Sequence, residues 1–150
     1  NEEYPQSLKK LDDLPVVLYC RGKLFDNDKY CPVAMVGTRS ATEYGKQAAF
    51  SLAYRFAKSG CTVVSGIAEG NDLAAHLGSM SAKVPTVAFL PGGHGCKYPE
   101  LRERLVGKIL ENGGAGLSEY PPDTAVAKNA YFLRKIHQSE CFYTKNTINK

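Results

Sequence analysis

The sequence predicts a doubly wound α/β fold: a mainly parallel sheet flanked by helices on both faces. Three observations predict it. Short runs of strand length alternate with amphipathic stretches of helix length. The runs are apolar throughout instead of alternating, as befits strands buried on both faces. Most of them end on a glycine-bearing turn that leads into the next helix, and right-handed crossovers then build a parallel sheet.

Val16-Val17-Leu18-Tyr19 reads as an edge strand ahead of the core. Pro32 to Val36 reads as a strand that ends at Gly37. A helix over 43–59 follows, with Tyr44, Ala48, Leu52, Ala53 and Phe56 on the expected buried face and Gly60 as its stop. Cys61 to Ser65 is the next strand, ending at Gly66, and a helix runs from about Asp72 to Ala82. Pro85 to Leu90 is a strand broken by Pro91-Gly92-Gly93. Pro99 opens a helix that Gly113-Gly114 closes, because proline suits a first helical turn and glycine a helix end. Ala115 to Ser118 is the last strand of the series, and Glu119 to Asp123 is a turn-rich break. A short helix and then a polar tail are expected beyond it. Together these make one Rossmann-like domain over residues 1–150, with a lead-in segment 1–31, a core 32–122 and a basic C-terminal segment 123–150.

Composition excludes several classes. At 43% hydrophobic and 23% charged the chain has the make-up of a soluble globular domain. It holds no membrane-length apolar run and begins with no signal pattern, so a cytoplasmic protein is expected, with no membrane partner. Five cysteines occur without a CxxC pair, which points to neither a zinc site nor a redox motif. Cys61 is expected to be a buried thiol; Cys96 lies in a Gly-rich loop. No metal and no cofactor are expected. Residues 128–150 carry Lys128, Arg134, Lys135, Lys145 and Lys150 against Glu140 alone, which accounts for the net charge of +4. Tyr131, Phe132, Phe142 and Tyr143 are interleaved with these cations. Cations with aromatics suit a single-stranded nucleic acid, where phosphates need charge and bases need stacking faces. The same pattern also suits an amphipathic terminal helix with a solvated face.

In an open parallel sheet, ligands bind beyond the C-terminal ends of the strands. Those ends carry Gly37-Thr38-Arg39-Ser40, Ser65-Gly66 through Gly70, Pro91-Gly92-Gly93-His94-Gly95, and Ser118-Glu119. Glycine lets a backbone approach a ligand, and helix N-termini offer N–H donors to anions. A phosphate-bearing partner follows. Arg39 is the sharpest candidate, because a guanidinium can grip phosphate with two parallel hydrogen bonds. Asp72 and His76 stand four apart on one helical face and read as a structural pair. Ser65 and Ser118 lie in no nucleophile elbow, and neither a Walker A loop nor a G-x-G-x-x-G fingerprint is present.

These loops, in this order, resemble the DNA-processing protein A (DprA/Smf) family. Tyr4 to Tyr19 followed by Arg21-Gly22 is similar to its lead-in; Val33 to Gly45 (VAMVGTRSATEYG) to its phosphate-gripping segment. Val63 to Gly78 (VVSGIAEGNDLAAHLG) is similar to its most distinctive segment, matching at Ser65, Gly66, Gly70, Asp72, Ala75 and His76. Tyr98-Pro99 and Ser118-Glu119-Tyr120-Pro121-Pro122 also fit, so the resemblance covers about residues 4–122. It implies a non-enzymatic role in binding single-stranded DNA during natural transformation and recombination. Gly37, Thr38, Arg39, Ser40, Ser65, Gly66, Gly70, Gly92, Gly93, Lys128, Phe132, Arg134 and Lys135 would face the DNA, with Asp72, His76, Ser118 and Glu119 as structural members. The recombinase RecA and a second copy of the chain are the further partners it implies, through βα units that this sequence stops short of. Glu69 stands where the family usually has Arg, and Arg102 where it has Asn. Tyr131 to Ile136 takes the place of its F-P-x-R-N-R segment, with Arg134 matching and Lys135 a partial stand-in.

The competing class is a nucleotide-binding enzyme or sensor. Pro91-Gly92-Gly93-His94-Gly95-Cys96 with Glu100 is similar to the PGGxGTxxE loop of nucleoside-monophosphate phosphoribohydrolases. Cys96 replaces the Thr there and Glu100 falls one residue late, which would turn the carboxylate by about 100° on a helix.

Overall fold

The structure, a computed structural model, describes residues 17–25 and 29–126. In chain order the elements are β1 (Tyr19–Gly22), β2 (Cys31–Ala34), α1 (Glu43–Lys58), β3 (Cys61–Ser65), α2 (Asn71–Ser81), β4 (Val87–Phe89), α3 (Glu100–Glu111) and β5 (Ala115–Ser118). The mixed α/β class and the mainly parallel sheet agree with the sequence reading. The short helix expected after residue 123 and Cys141 lie outside the described residues, as do Lys128, Phe132, Arg134 and Lys135.

The five strands lie in the order β1-β5-β4-β3-β2. β2, β3, β4 and β5 are parallel, each beside its predecessor, and β1 closes the far edge antiparallel to β5. A sheet that advances one strand at a time through right-handed crossovers carries its helices on one face. The clusters agree: Val63 packs with Ala53 of α1 and Ala75 of α2, and Ala88 with Leu105 and Ile109 of α3. The alternate residues Val64, Val87, Phe89, Ala115 and Leu117 form a separate cluster, against which Leu18, Leu24 and Phe25 pack. Among the described residues, then, the flanking helices occupy one face and not both as expected, and the lead-in segment covers part of the other.

Two local expectations are corrected. The edge strand starts at Tyr19, not Val16, and Val17 is exposed. Its register is set by pairing, from Tyr19 opposite Ser118 to Gly22 opposite Ala115. The partner strand has four residues and ends at Ser118 opposite Tyr19, so Val17 and Leu18 lie beyond its last pair. On α1 the buried residues are Ala49, Ala53 and Ala57, while Tyr44, Leu52 and Phe56 are 81%, 49% and 38% exposed. The helix turns its alanines inward because α1 and α2 approach closely. A Cβ at Gly78 of α2 would collide with the carbonyl oxygen of Phe50 and lie 2.9 Å from the Cβ of Ala53. No leucine or tyrosine fits that seam.

Candidate functional site

The C-terminal ends of β2, β3 and β4 place three loops side by side, and the first two are locked together. Loop 37–42 leaves β2 and presents Thr38, Arg39 and Ser40 to solvent. Its turn is held by Ser40 N–H donating to Thr38 Oγ1 at 3.2 Å. Thr42 then caps α1, its hydroxyl accepting from Gly45 N–H at 3.1 Å. Loop 66–70 leaves β3 and delivers Gly70, with φ of 84°, as the N-cap of α2 without a side-chain cap. Asn71 N–H donates to the Thr38 carbonyl at 3.3 Å. Beneath this contact Ser65 Oγ donates to the Met35 carbonyl at 2.7 Å, so Ser65 is a buried tie between strand ends and not a surface donor.

Asn71 is a member of this site that the sequence reading missed. Its side chain fills the space above Gly37, where any Cβ would collide with it. Sequence gives no signal for this, because Gly37 and Asn71 meet only when the β2–α1–β3 crossover brings their loops together.

α2 grips the second loop from below. Asp72, 2% exposed, accepts through Oδ2 from Ala68 N–H at 3.4 Å. His76, fully buried, places Nε2 at 2.7 Å from the Gly66 carbonyl and Nδ1 at 2.8 Å from Thr86 Oγ1. Asp72 and His76, expected to bond each other, are thus both buried and each bonded to the 66–70 loop. Glu69 is exposed at the tip of the same loop.

The third loop is different. Gly93 N–H donates to the Thr124 carbonyl at 2.9 Å and Gly95 N–H to that of Pro122 at 2.7 Å. A Cβ at Gly93 would collide with the Pro121 and Pro122 carbonyls. Gly92 and Gly93 are buried beneath the 121–124 segment, and the amide of Gly93 is spent on it. These two glycines serve packing, and the open site narrows to the first two loops. Ser118, also buried, donates to the Gly92 carbonyl at 2.8 Å and accepts from Tyr120 N–H at 3.0 Å, fixing the turn that covers the loop. Glu119 stands half-buried in that turn.

Beyond this loop lies a cavity of about 230 Å³ whose walls include Arg21, His94, Cys96, Tyr98 and Glu103. Glu100, the carboxylate needed by the enzyme reading, is not in its wall. It is the first residue of α3, is exposed, and pairs on the surface with Arg104. Glu103 turns back instead and accepts from Tyr98 N–H at 3.2 Å. Among the described residues no group of three His, Cys, Asp or Glu could hold a metal ion, and no helix is long and apolar enough to cross a membrane.

Cys61 is half-buried, not fully buried as expected, and lies opposite Cys31 in the β2–β3 register. Burial first, and then the Cys31 thiol, push the Cys61 thiol above its ordinary range.

Residues 1–136 match the family model described as DNA recombination-mediator protein A. The chain is 34% identical over 134 residues to the DNA processing protein DprA of Bacillus subtilis, covering 89% of this chain and 45% of that protein. It is 34% identical over 119 residues to DprA of Streptococcus pneumoniae, covering 79% of this chain and 41% of that protein. Among solved structures it is similar to DNA processing protein A of Helicobacter pylori, studied for its single-stranded DNA binding mode. That likeness has a TM-score of 0.82 and 32% identity over 95% of this chain and 64% of the other. The chain thus spans under half the length of these two relatives.

Proposed function

The chain belongs to the DNA recombination-mediator protein A family, and from that premise we propose that it binds single-stranded DNA by its phosphates at the joined ends of β2 and β3. One observation carries the reading. The exposed Thr38-Arg39-Ser40 turn stands against Gly70, the N-cap at which α2 begins without a side-chain cap. A guanidinium and two hydroxyls share one small surface beside the start of α2, and each of them favours an anionic oxygen. The contacts are to backbone, so little sequence preference follows. Lys128, Phe132, Arg134 and Lys135 are the residues proposed to extend the path with charge and stacking.

The test is a titration of the chain with a short oligothymidine against a panel of nucleoside phosphates. Binding of the oligomer that weakens steeply with salt, at about −0.7 in log–log slope per neutralised phosphate, supports the reading. Preference for a mononucleotide transfers the site to the sensor class. A non-enzymatic role, help to the recombinase RecA and pairing of two copies are the finer parts of the proposal. They rest on the family, and co-sedimentation with RecA on DNA and light scattering of the chain test the last two.

A further inference from the structure

One assignment of protons satisfies the three contacts made by His76 and Thr86. Thr86 Oγ1 lies 2.7 Å from the Val63 carbonyl and 2.8 Å from His76 Nδ1. A threonine hydroxyl has one proton, and a carbonyl can only accept, so the hydroxyl proton belongs to Val63. The bond to Nδ1 then needs a proton on the ring. At the other side Nε2 meets the Gly66 carbonyl at 2.7 Å and must donate as well. In this assignment both ring nitrogens carry protons. A buried imidazolium is costly unless a counter-charge accompanies it. Asp72, 2% exposed, stands one turn earlier on the same face of α2.

We propose that His76 is a positioning residue of the DNA site, which it serves as an imidazolium tying the Gly66 carbonyl to Thr86. The proposal rests on the DNA-binding reading for its consequence, though not for its proton. Asp72 and His76 hold the 66–70 loop at two points, the Ala68 amide and the Gly66 carbonyl. The loop so held delivers Gly70 against Thr38 and Arg39. Loss of the Nδ1 proton leaves the single Thr86 hydroxyl proton to two acceptors, Nδ1 and the Val63 carbonyl, and the anchor loosens. Of the other ionisable groups on the packed elements, Cys61 is at the opposite end of β3, Lys46 and Arg102 are half-buried on α1 and α3, and the remaining ones on α1 and α3 are exposed, as is Glu69; β4 has none.

Two measurements on the whole chain test this. The first is nitrogen-15 NMR of the histidine rings at pH 7, where both nitrogens of His76 should carry protons. A bare Nδ1 overturns the proposal. Thr86→Val should make that proton leave at lower pH and Thr86→Ser should not; equal behaviour of the two also overturns it. The second is oligothymidine affinity from pH 6 to 9 for wild type and for His76→Gln, whose amide can donate to Gly66 without titrating. Wild-type affinity should fall about tenfold over the interval in which the Nδ1 proton leaves, the loss of one charge-assisted bond, while the variant stays flat. Matching profiles overturn the positioning role with DNA binding intact. No binding by either protein at any pH overturns the DNA-binding reading, and the positioning role with it.

Discussion

Gly70 faces the Thr38 carbonyl so closely that a Cβ there would lie 2.6 Å from its oxygen, and equally near that of Arg39. The start of α2 and the Arg39 turn are thus one rigid unit. Gly70 also has a φ of 84°, a conformation that side chains disfavour. Gly70→Ala is expected to destabilise the chain by about 1–3 kcal/mol and to weaken DNA binding beyond that, by parting the loops. Gly107, inside α3, meets nothing within 4 Å at its Cβ position. Gly107→Ala should stabilise by up to about 1 kcal/mol, from helix propensity alone. Urea unfolding of both variants checks the contrast.

Arg39→Ala should weaken oligothymidine binding by about 1.5–3 kcal/mol, the range for a hydrogen bond to a charged group. Arg39→Lys should restore part of it, since lysine keeps the charge and lacks the planar fork. Arg39 is exposed in the turn, so the melting temperature should not move. Wild-type affinity in Arg39→Ala would remove this residue from the site.

Glu69→Arg should strengthen DNA binding by roughly thirtyfold, about 1 kcal/mol for each of the two charge units after screening. The Ala68 amide is taken by Asp72 and no side chain caps α2, so Glu69 has no capping role to lose. A drop in melting temperature without a gain in affinity would contradict this.

Glu100 pairs with Arg104 on the outside of α3 and faces away from the Arg21–His94 cavity. Incubation with adenosine monophosphate should therefore release no adenine, and Glu100→Gln should change nothing. Base release that the variant abolishes would restore the phosphoribohydrolase reading.

The Cys61 thiol is pushed upward by burial and by Cys31. In the unfolded chain the thiol ionises first, so its contribution to stability is complete below its ordinary value and falls as pH rises past it. Alkylation near pH 8 should accordingly modify the exposed Cys31 before Cys61. Mass spectrometry of the partly modified chain reads the order.

By itself the sequence determined the sequence of elements, the parallel sheet and the loops that share its C-terminal edge. These follow from local signals: apolar runs of strand length, helical periodicity, and glycine at the turns. Gly37, Arg39 and Gly70 were legible because strand ends in such a sheet all point to one edge. Only the tertiary structure decided which face of α1 is buried. Periodicity offered Tyr44, Leu52 and Phe56, but the close approach of α2 admits only the alanine stripe Ala49, Ala53 and Ala57. It likewise decided that Gly93 is spent on Thr124 while Gly70 is set against Arg39. A glycine's sequence context is the same whether its neighbour is a ligand or another loop, and that neighbour is chosen by packing between residues far apart in the chain. The contacts of His76 belong to this second kind of information. They depend on Thr86 and Gly66, ten residues away on either side, meeting one imidazole.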